Sequence, residues 1–353
     1  MNTDLILPES IEYIEFAVQD LKKYCELYES LGFKCVGKRT ENQKKSFLYQ
    51  QGTARFVISA SSSEKNPIFQ FTKKHGNGVC TIGLKIDDAT KSNQIALQKG
   101  LITSGVKPIT SPSTDLHAQC WTMKIFGDVN HEFLSYANSQ TQLNDFFPEE
   151  KCTPDLKGKF LQNIDHVTVN VAKGEVDSLA KFYQDVFGFY EVRYFDIRTE
   201  KTGLFSRAIR SQSGRVTMPF NEPTDPKSQI QEFLNTFNGP GVQHIALHTS
   251  NILLCLKDYI QKGLQFLSVP DTYYEALIKR LPLLTEDTQE LQQLKILADG
   301  DDKGYLLQIF TQNIIGPFFF EFIQRKGHDG FGEGNFRALF EAIEQDQIKR
   351  GFL

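Results

Sequence analysis

No stretch of this chain approaches the ~18 consecutive apolar residues that a membrane-spanning helix needs. No block of lysine and arginine stands out either, against a net charge of -4. Membranes and nucleic acids are therefore poor partners on composition. The opening MNTDLILPES lacks the basic-then-apolar order of a secretion signal, so the expected location is the cytoplasm. Cys25, Cys35, Cys80, Cys120, Cys152 and Cys255 form no CxxC pair and no zinc-finger spacing. They read as reduced, mostly buried thiols. There is no GxGxxG, no Walker A motif and no GxSxG, so nothing points to nucleotide binding or to a serine on a nucleophile elbow. Tryptophan occurs once, yet there are 29 phenylalanines and 12 tyrosines. Such density suits large cores and, near the C-terminus, a pocket for an aromatic ligand.

Three apolar runs each carry one polar residue. Ile164-Asp165-His166-Val167-Thr168-Val169 and Gly241-Val242-Gln243-His244-Ile245-Ala246-Leu247 read as buried strands around a histidine. Phe318-Phe319-Phe320-Glu321-Phe322-Ile323 does the same to a carboxylate. A lone buried histidine is usually a hydrogen-bonded core residue. A charged glutamate inside such a strand is costly unless it is paired or metal-bound. Two histidines and a carboxylate on three strands form the facial cage typical of non-haem iron(II). His166 and His244 lie 78 residues apart, and His244 and Glu321 lie 77 apart, as if each ligand sat on a repeated unit.

The repetition is visible elsewhere. His75–Leu84 aligns without a gap on Asn238–Leu247, and Ile11–Val18 aligns on Ile164–Val171. Tyr24, Leu27, Tyr28 and Leu31, like Leu179, Phe182, Tyr183 and Val186, mark amphipathic helices that run into Gly32-Phe33 and Gly188-Phe189. Four units begin near residues 10, 78, 163 and 241, and the charged, proline-bearing segment 146–160 reads as a linker. The expected division is a non-catalytic domain over residues 1–150 and a catalytic one over residues 151–353. In the first half Tyr13 stands where His166 stands and Thr81 where His244 stands. Only Glu132 echoes Glu321, so that half cannot hold the same metal.

Two leads fail. His244 and His248 would chelate one ion on a helix, but on a strand four residues span about 13 Å, so His248 is structural. Asp299–Gly304 resembles the start of an EF-hand, but the twelfth position is Phe310, so a hairpin turn is expected.

Paired units with two histidines and a glutamate resemble the vicinal-oxygen-chelate superfamily. The C-terminal half resembles its 4-hydroxyphenylpyruvate dioxygenases through Asn163–His166, Pro219–Pro223, Ser228–Gln231, Gly241–Leu247, Leu307–Phe310, Glu321–Arg325 and Gly330–Phe336. The resemblance implies an α+β fold of four βαβββ modules in two open-barrel domains, with a C-terminal helix over the site. It implies one iron(II) per chain on His166, His244 and Glu321. It also implies a substrate-binding set of Ser206, Asn221, Gln229, Gln243, Gln308, Phe310, Phe319, Phe331 and Phe336, of which Gln229, Gln308 and Phe336 would be catalytic. The substrates would be 4-hydroxyphenylpyruvate and O2, the products homogentisate and CO2, and the assembly a homodimer or homotetramer. Hydroxymandelate synthases, extradiol dioxygenases and metal-free aromatic binders of the same superfamily remain alternatives.

On the residues alone, amides suit a buried phenol because they both donate and accept. Asn221 also reads as a turn residue, and Gln229 as an exposed helix residue. Strand alternation turns Gln243 away from His244. At the C-terminus, Asn335 reads as the N-cap of a helix with Phe336, Leu339, Phe340 and Ile343 on its apolar face, after a freely bending lead-in from Gly327 to Gly334. That helix is either a lid or a packed terminal element.

Overall fold

The computed structural model describes residues 4–110, 117–150, 153, 156–267, 271–275 and 277–351. Two eight-stranded sheets follow one another along the chain. The first holds β1 (Ser10–Ala17), β2 (Lys34–Glu41), β3 (Lys44–Gln51), β4 (Ala54–Ser61), β5 (Gly78–Lys85), β6 (Lys107–Thr110), β7 (His117–Phe126) and β8 (Val129–Tyr136). The second holds β9 (Leu161–Asn170), β10 (Tyr190–Arg198), β11 (Gly203–Arg210), β12 (Thr217–Pro223), β13 (Gly241–Thr249), β14 (Leu297–Gly300), β15 (Tyr305–Phe310) and β16 (Phe319–Lys326). Their strand orders are β2-β3-β4-β1-β5-β8-β7-β6 and β10-β11-β12-β9-β13-β16-β15-β14, the same order shifted by eight. Each sheet is two βαβββ modules joined where their first strands pair antiparallel, β1 with β5 and β9 with β13. The first strands begin at Ser10, Gly78, Leu161 and Gly241, where the repeats place them.

The helices are α1 (Leu21–Ser30), α2 (Pro67–His75), α3 (Ala89–Gln98), α4 (Val176–Phe187), α5 (Gln229–Phe237), α6 (Ile252–Gln261), the short α7 (Thr272–Glu275), α8 (Leu277–Arg280) and α9 (Thr288–Gln293), and the terminal α10 (Glu333–Lys349). Local chemistry sets their ends. Asp20, Asn66, Ser228 and Asn251 accept backbone N–H bonds in the first turns of α1, α2, α5 and α6. Gly188 closes α4 at φ 67°, a left-handed conformation that favours glycine. Most of the buried tyrosines and phenylalanines belong to one cluster that runs across both sheets; Phe16 of β1 packs edge-on against Phe318, 4.9 Å between centroids. Among the described cysteines five are free thiols, four of them buried. Cys152 and part of the linker lie outside the described residues. No described helix is long and apolar enough to cross a membrane.

Candidate metal centre and substrate pocket

The register of three neighbouring strands makes the cluster. Ala246 of β13 faces His166 across its antiparallel edge with β9 and Glu321 across its parallel edge with β16. His244 precedes Ala246 by two residues and so shares its face. His166, His244 and Glu321 thus converge, all buried, with one potential ligand atom from each within 4.8 Å of the others. His166 Nε2 and His244 Nε2 lie 3.2 and 3.6 Å from the same oxygen, Glu321 Oε2.

Both Nδ1 atoms are engaged elsewhere. His166 Nδ1 lies 2.9 Å from Asp165 Oδ1, and His244 Nδ1 lies 3.1 Å from Gln243 Oε1. Both partners are acceptors, so each Nδ1 carries a proton and each Nε2 is turned to the cluster, where a metal ion would take its lone pair in place of a proton. Burial opposes charge on both rings. For His166 the Glu321 and Asp165 carboxylates overcome it and lift the pKa to about 9. For His244 burial wins, helped by His166, and its pKa falls well below the usual value. Two imidazole nitrogens and one carboxylate oxygen facing a common point fit a divalent transition-metal ion and leave part of its coordination sphere open.

Gln243 departs from the alternation expected of a strand. The ladder runs Val242↔Val169 and then His244↔Thr168, so Gln243 is an extra residue in a β-bulge, and its side chain reaches the neighbouring ring. With Gln229, the first residue of α5, it lines a separate cavity of about 360 Å³ behind Phe319. Neither residue lines the cavity that holds the three ligands.

That cavity is about 30 Å³, walled by His166, Thr168, Phe195, Ser206, Pro219, Asn221, His244, Gln308, Phe310, Glu321, Phe331, Phe336 and Leu339. From its aromatic wall Phe331 meets His166 edge-on at 5.6 Å; Phe319, expected to contact substrate, lines the other cavity instead and stacks on His244 at 4.8 Å. Gln308 Nε2 donates to Glu321 Oε1 at 2.8 Å and to the Phe331 carbonyl at 3.1 Å. Opposite, Thr168 Oγ1, Ser206 Oγ and Asn221 Oδ1 are buried with no hydrogen-bond partner among the described residues, as is Asn170 Nδ2 nearby. Buried polar groups are nearly always paired, so a row of unpaired ones lining a cavity is an unmet demand for a polar ligand. Sequence reasoning missed Thr168, Asn170, Phe195, Pro219 and Leu339. Thr168 and Asn170 follow His166 at intervals of two on one strand and were findable by alternation; Phe195 comes from the sheet edge and carried no such signal.

The terminal helix begins at Glu333, so Asn335 lies inside it and is not its N-cap. Asn335 is fully buried and donates from Nδ2 to Gln308 Oε1 at 2.9 Å. Farther along, Glu344 accepts from Thr199 and Thr202, and Gln347 donates to Glu232. The helix is therefore docked, with Phe336 and Leu339 in the cavity wall.

Residues 7–147 match the family described as "Hydroxyphenylpyruvate dioxygenase, HPPD, N-terminal", and residues 163–308 match the "Glyoxalase/Bleomycin resistance protein/Dioxygenase superfamily". The chain is 40% identical to a 4-hydroxyphenylpyruvate dioxygenase of Legionella pneumophila, over 98% of this chain and 96% of that one. It is 37% identical to one of Pseudomonas aeruginosa over the same shares, 98% and 96%. Among solved structures, a triple mutant of 4-hydroxymandelate synthase from Streptomyces coelicolor superposes with a TM-score of 0.83 at 26% identity, covering 97% of this chain and 100% of that one. Likeness that runs through both sheets and nearly every residue of the relatives has one reading: the chain belongs to the 4-hydroxyphenylpyruvate dioxygenase family of the vicinal-oxygen-chelate superfamily.

Proposed function

We propose that the chain converts 4-hydroxyphenylpyruvate and O2 to homogentisate and CO2, a step of tyrosine and phenylalanine breakdown, using one iron(II) held by His166, His244 and Glu321. The observation that carries this reading is the pairing of a His-His-Glu cluster with a row of unpaired polar atoms across one aromatic-walled cavity. Bound there, iron(II) supplies the sites that gather a 2-oxo acid and dioxygen and the redox chemistry that joins them. The protein's part is placement. Ser206 and Asn221 offer hydrogen bonds to the substrate's polar groups, while Phe310, Phe331 and Phe336 hold its ring and exclude water and Phe319 backs the His244 ring. Gln308 steadies Glu321 while facing the same space. Gln243 acts through His244, and Gln229 would meet substrate only after movement of the Phe319 wall.

Ligand pockets usually reach about 300 Å³ or more, so a cavity of about 30 Å³ must open to admit an arylpyruvate. Phe331, Phe336 and Leu339, all from the C-terminal segment, are the wall that would move. The first sheet, with residues 1–150, is assigned no chemistry. A cytoplasmic homo-oligomer completes the reading.

The structural likeness to a 4-hydroxymandelate synthase favours one rival, oxidation of the side chain in place of the ring. Anaerobic iron(II) loading, an oxygen pulse with 4-hydroxyphenylpyruvate, and chromatography of the product separate the two. Homogentisate is expected. Hydroxymandelate would move the chain to the rival, and oxygen uptake with catechols alone would move it to the ring-cleaving branch.

A further inference from the structure

We propose that Asp165, held by Arg325, is a positioning residue for the ligand His166, and that Arg325 also ties this ligand to the segment that lays Phe331 over it. The inference rests on reading His166 as a metal ligand.

The geometry begins with a second β-bulge. The β9–β13 ladder runs His166↔Ala246 and then Ile164↔Leu247, which leaves Asp165 as the extra residue. In a regular strand Asp165 would point away from His166. The bulge re-aims it, and Asp165 Oδ1 accepts from His166 Nδ1 at 2.9 Å. The same device sets Gln243 beside His244, so each histidine is preceded by a bulged residue that accepts from its Nδ1. The two acceptors differ in chemistry. Gln243 is a neutral amide. Asp165 is a carboxylate, and a carboxylate behind a ligating imidazole fixes its tautomer and makes its other nitrogen a stronger donor.

A carboxylate as largely covered as Asp165 needs a partner. Arg325 supplies one in fork geometry, Nε to Oδ2 and Nη2 to Oδ1, both at 2.8 Å. Its remaining nitrogen, Nη1, donates to the carbonyls of His328 and Gly330, at 3.1 and 2.6 Å. The next residue is Phe331, whose ring meets His166 edge-on. One guanidinium thus joins the histidine, through Asp165, to the backbone that presents the cavity wall. The glycine-rich lead-in is thus tied to the sheet at His328 and Gly330, contacts that opening of the Phe331 wall would have to strain or release.

The test is titration of cobalt(II) into metal-free protein, read by visible absorption and by competition with a chelator, with hydrogen exchange of the Gly327–Gly332 amides alongside. Asp165→Ala should weaken cobalt(II) binding about 10- to 100-fold and alter the absorption band. Asp165→Asn, which keeps the size, should fall between it and wild type and serves if the alanine variant does not fold. Arg325→Lys keeps the charge but loses the fork; it should weaken binding less and speed exchange across Gly327–Gly332 several-fold. If both Asp165 variants bind cobalt(II) within twofold of wild type with an unchanged band, the positioning role is wrong. Unchanged exchange in Arg325→Lys would remove the coupling to the segment. If wild type itself binds no cobalt(II), the metal reading fails first, a result distinct from either.

Discussion

Tyr13 occupies in the first sheet the place that His166 occupies in the second. Tyr13 pairs across its ladder with Gly83 as His166 pairs with Ala246, and Gly83 in turn pairs with Glu132 as Ala246 pairs with Glu321. Where the histidine faces its glutamate, the tyrosine hydroxyl donates to Glu132 Oε1 at 2.7 Å. Thr81, in the His244 position, donates to Glu15. Even the bulges persist, at Glu12 and Cys80 in place of Asp165 and Gln243. The duplicated frame survives intact while its ligand positions are closed by internal hydrogen bonds.

Metal binding should therefore belong to one sheet. His166→Ala, His244→Ala and Glu321→Ala should each lose turnover and most bound iron while remaining folded. Tyr13→Phe and Glu132→Gln should leave metal content at one ion per chain. Metal analysis of the purified variants checks this; two ions per chain, or full iron content in any of the three alanine variants, contradicts it.

The closed site makes its own demand on packing. A Cβ placed on Gly83 would lie 2.3 Å from the Tyr13 ring, a separation no real pair adopts. Gly83→Ala should destabilise the protein by about 1–3 kcal/mol without changing metal content. Adding Tyr13→Ala should recover part of that loss, because the clash needs both side chains. Denaturant midpoints of the single and double variants measure the coupling.

His131 should make stability fall with acid. It is fully buried, its Nε2 lies 2.6 Å from the Tyr183 hydroxyl of α4, and burial lowers its pKa from 6.5 to about 3. A depressed histidine is neutral when folded but takes up a proton when unfolded. Its contribution is present above pH 6.5 and lost as pH falls toward 3. That amounts to about 2 kcal/mol by pH 5. His131→Gln lacks this term, so the stability gap between wild type and variant should shift by that amount in the variant's favour from pH 7 to pH 5. A gap independent of pH would mean that the histidine titrates alike in the folded and unfolded chain.

The terminal helix should govern how oxygen use is coupled to product. Deleting the residues after Gly330 removes Phe331, Phe336 and Asn335 together, leaving Gln308 without its Asn335 partner and the cavity open. Iron should remain, while oxygen consumed per product formed should rise, because a shielded site is lost. Phe336→Val should show a milder form, with uncoupling or partial diversion toward side-chain oxidation. Normal coupling in the truncated chain would make the helix structural only.

Much of this was legible from residue order. Four module starts follow from repeats that align without gaps, and period-2 alternation with a costly buried glutamate singles out His166, His244 and Glu321. The left-handed helix stops at Gly32, just past the Leu31 cap of α1, and at Gly188 need only local backbone chemistry. What tertiary structure decided is where alternation breaks. A bulge exists only relative to the strand beside it, so nothing within Asn163–Val169 or Gly241–Leu247 reveals that Asp165 and Gln243 turn back toward their histidines. Asn335 looked like a cap because asparagine favours caps, yet a buried amide goes wherever a partner waits, and Gln308 waits 27 positions away in sequence. Arg325 and Asp165 are separated by 160 positions, and only the parallel and antiparallel neighbours of β13 bring their strands within reach of one fork.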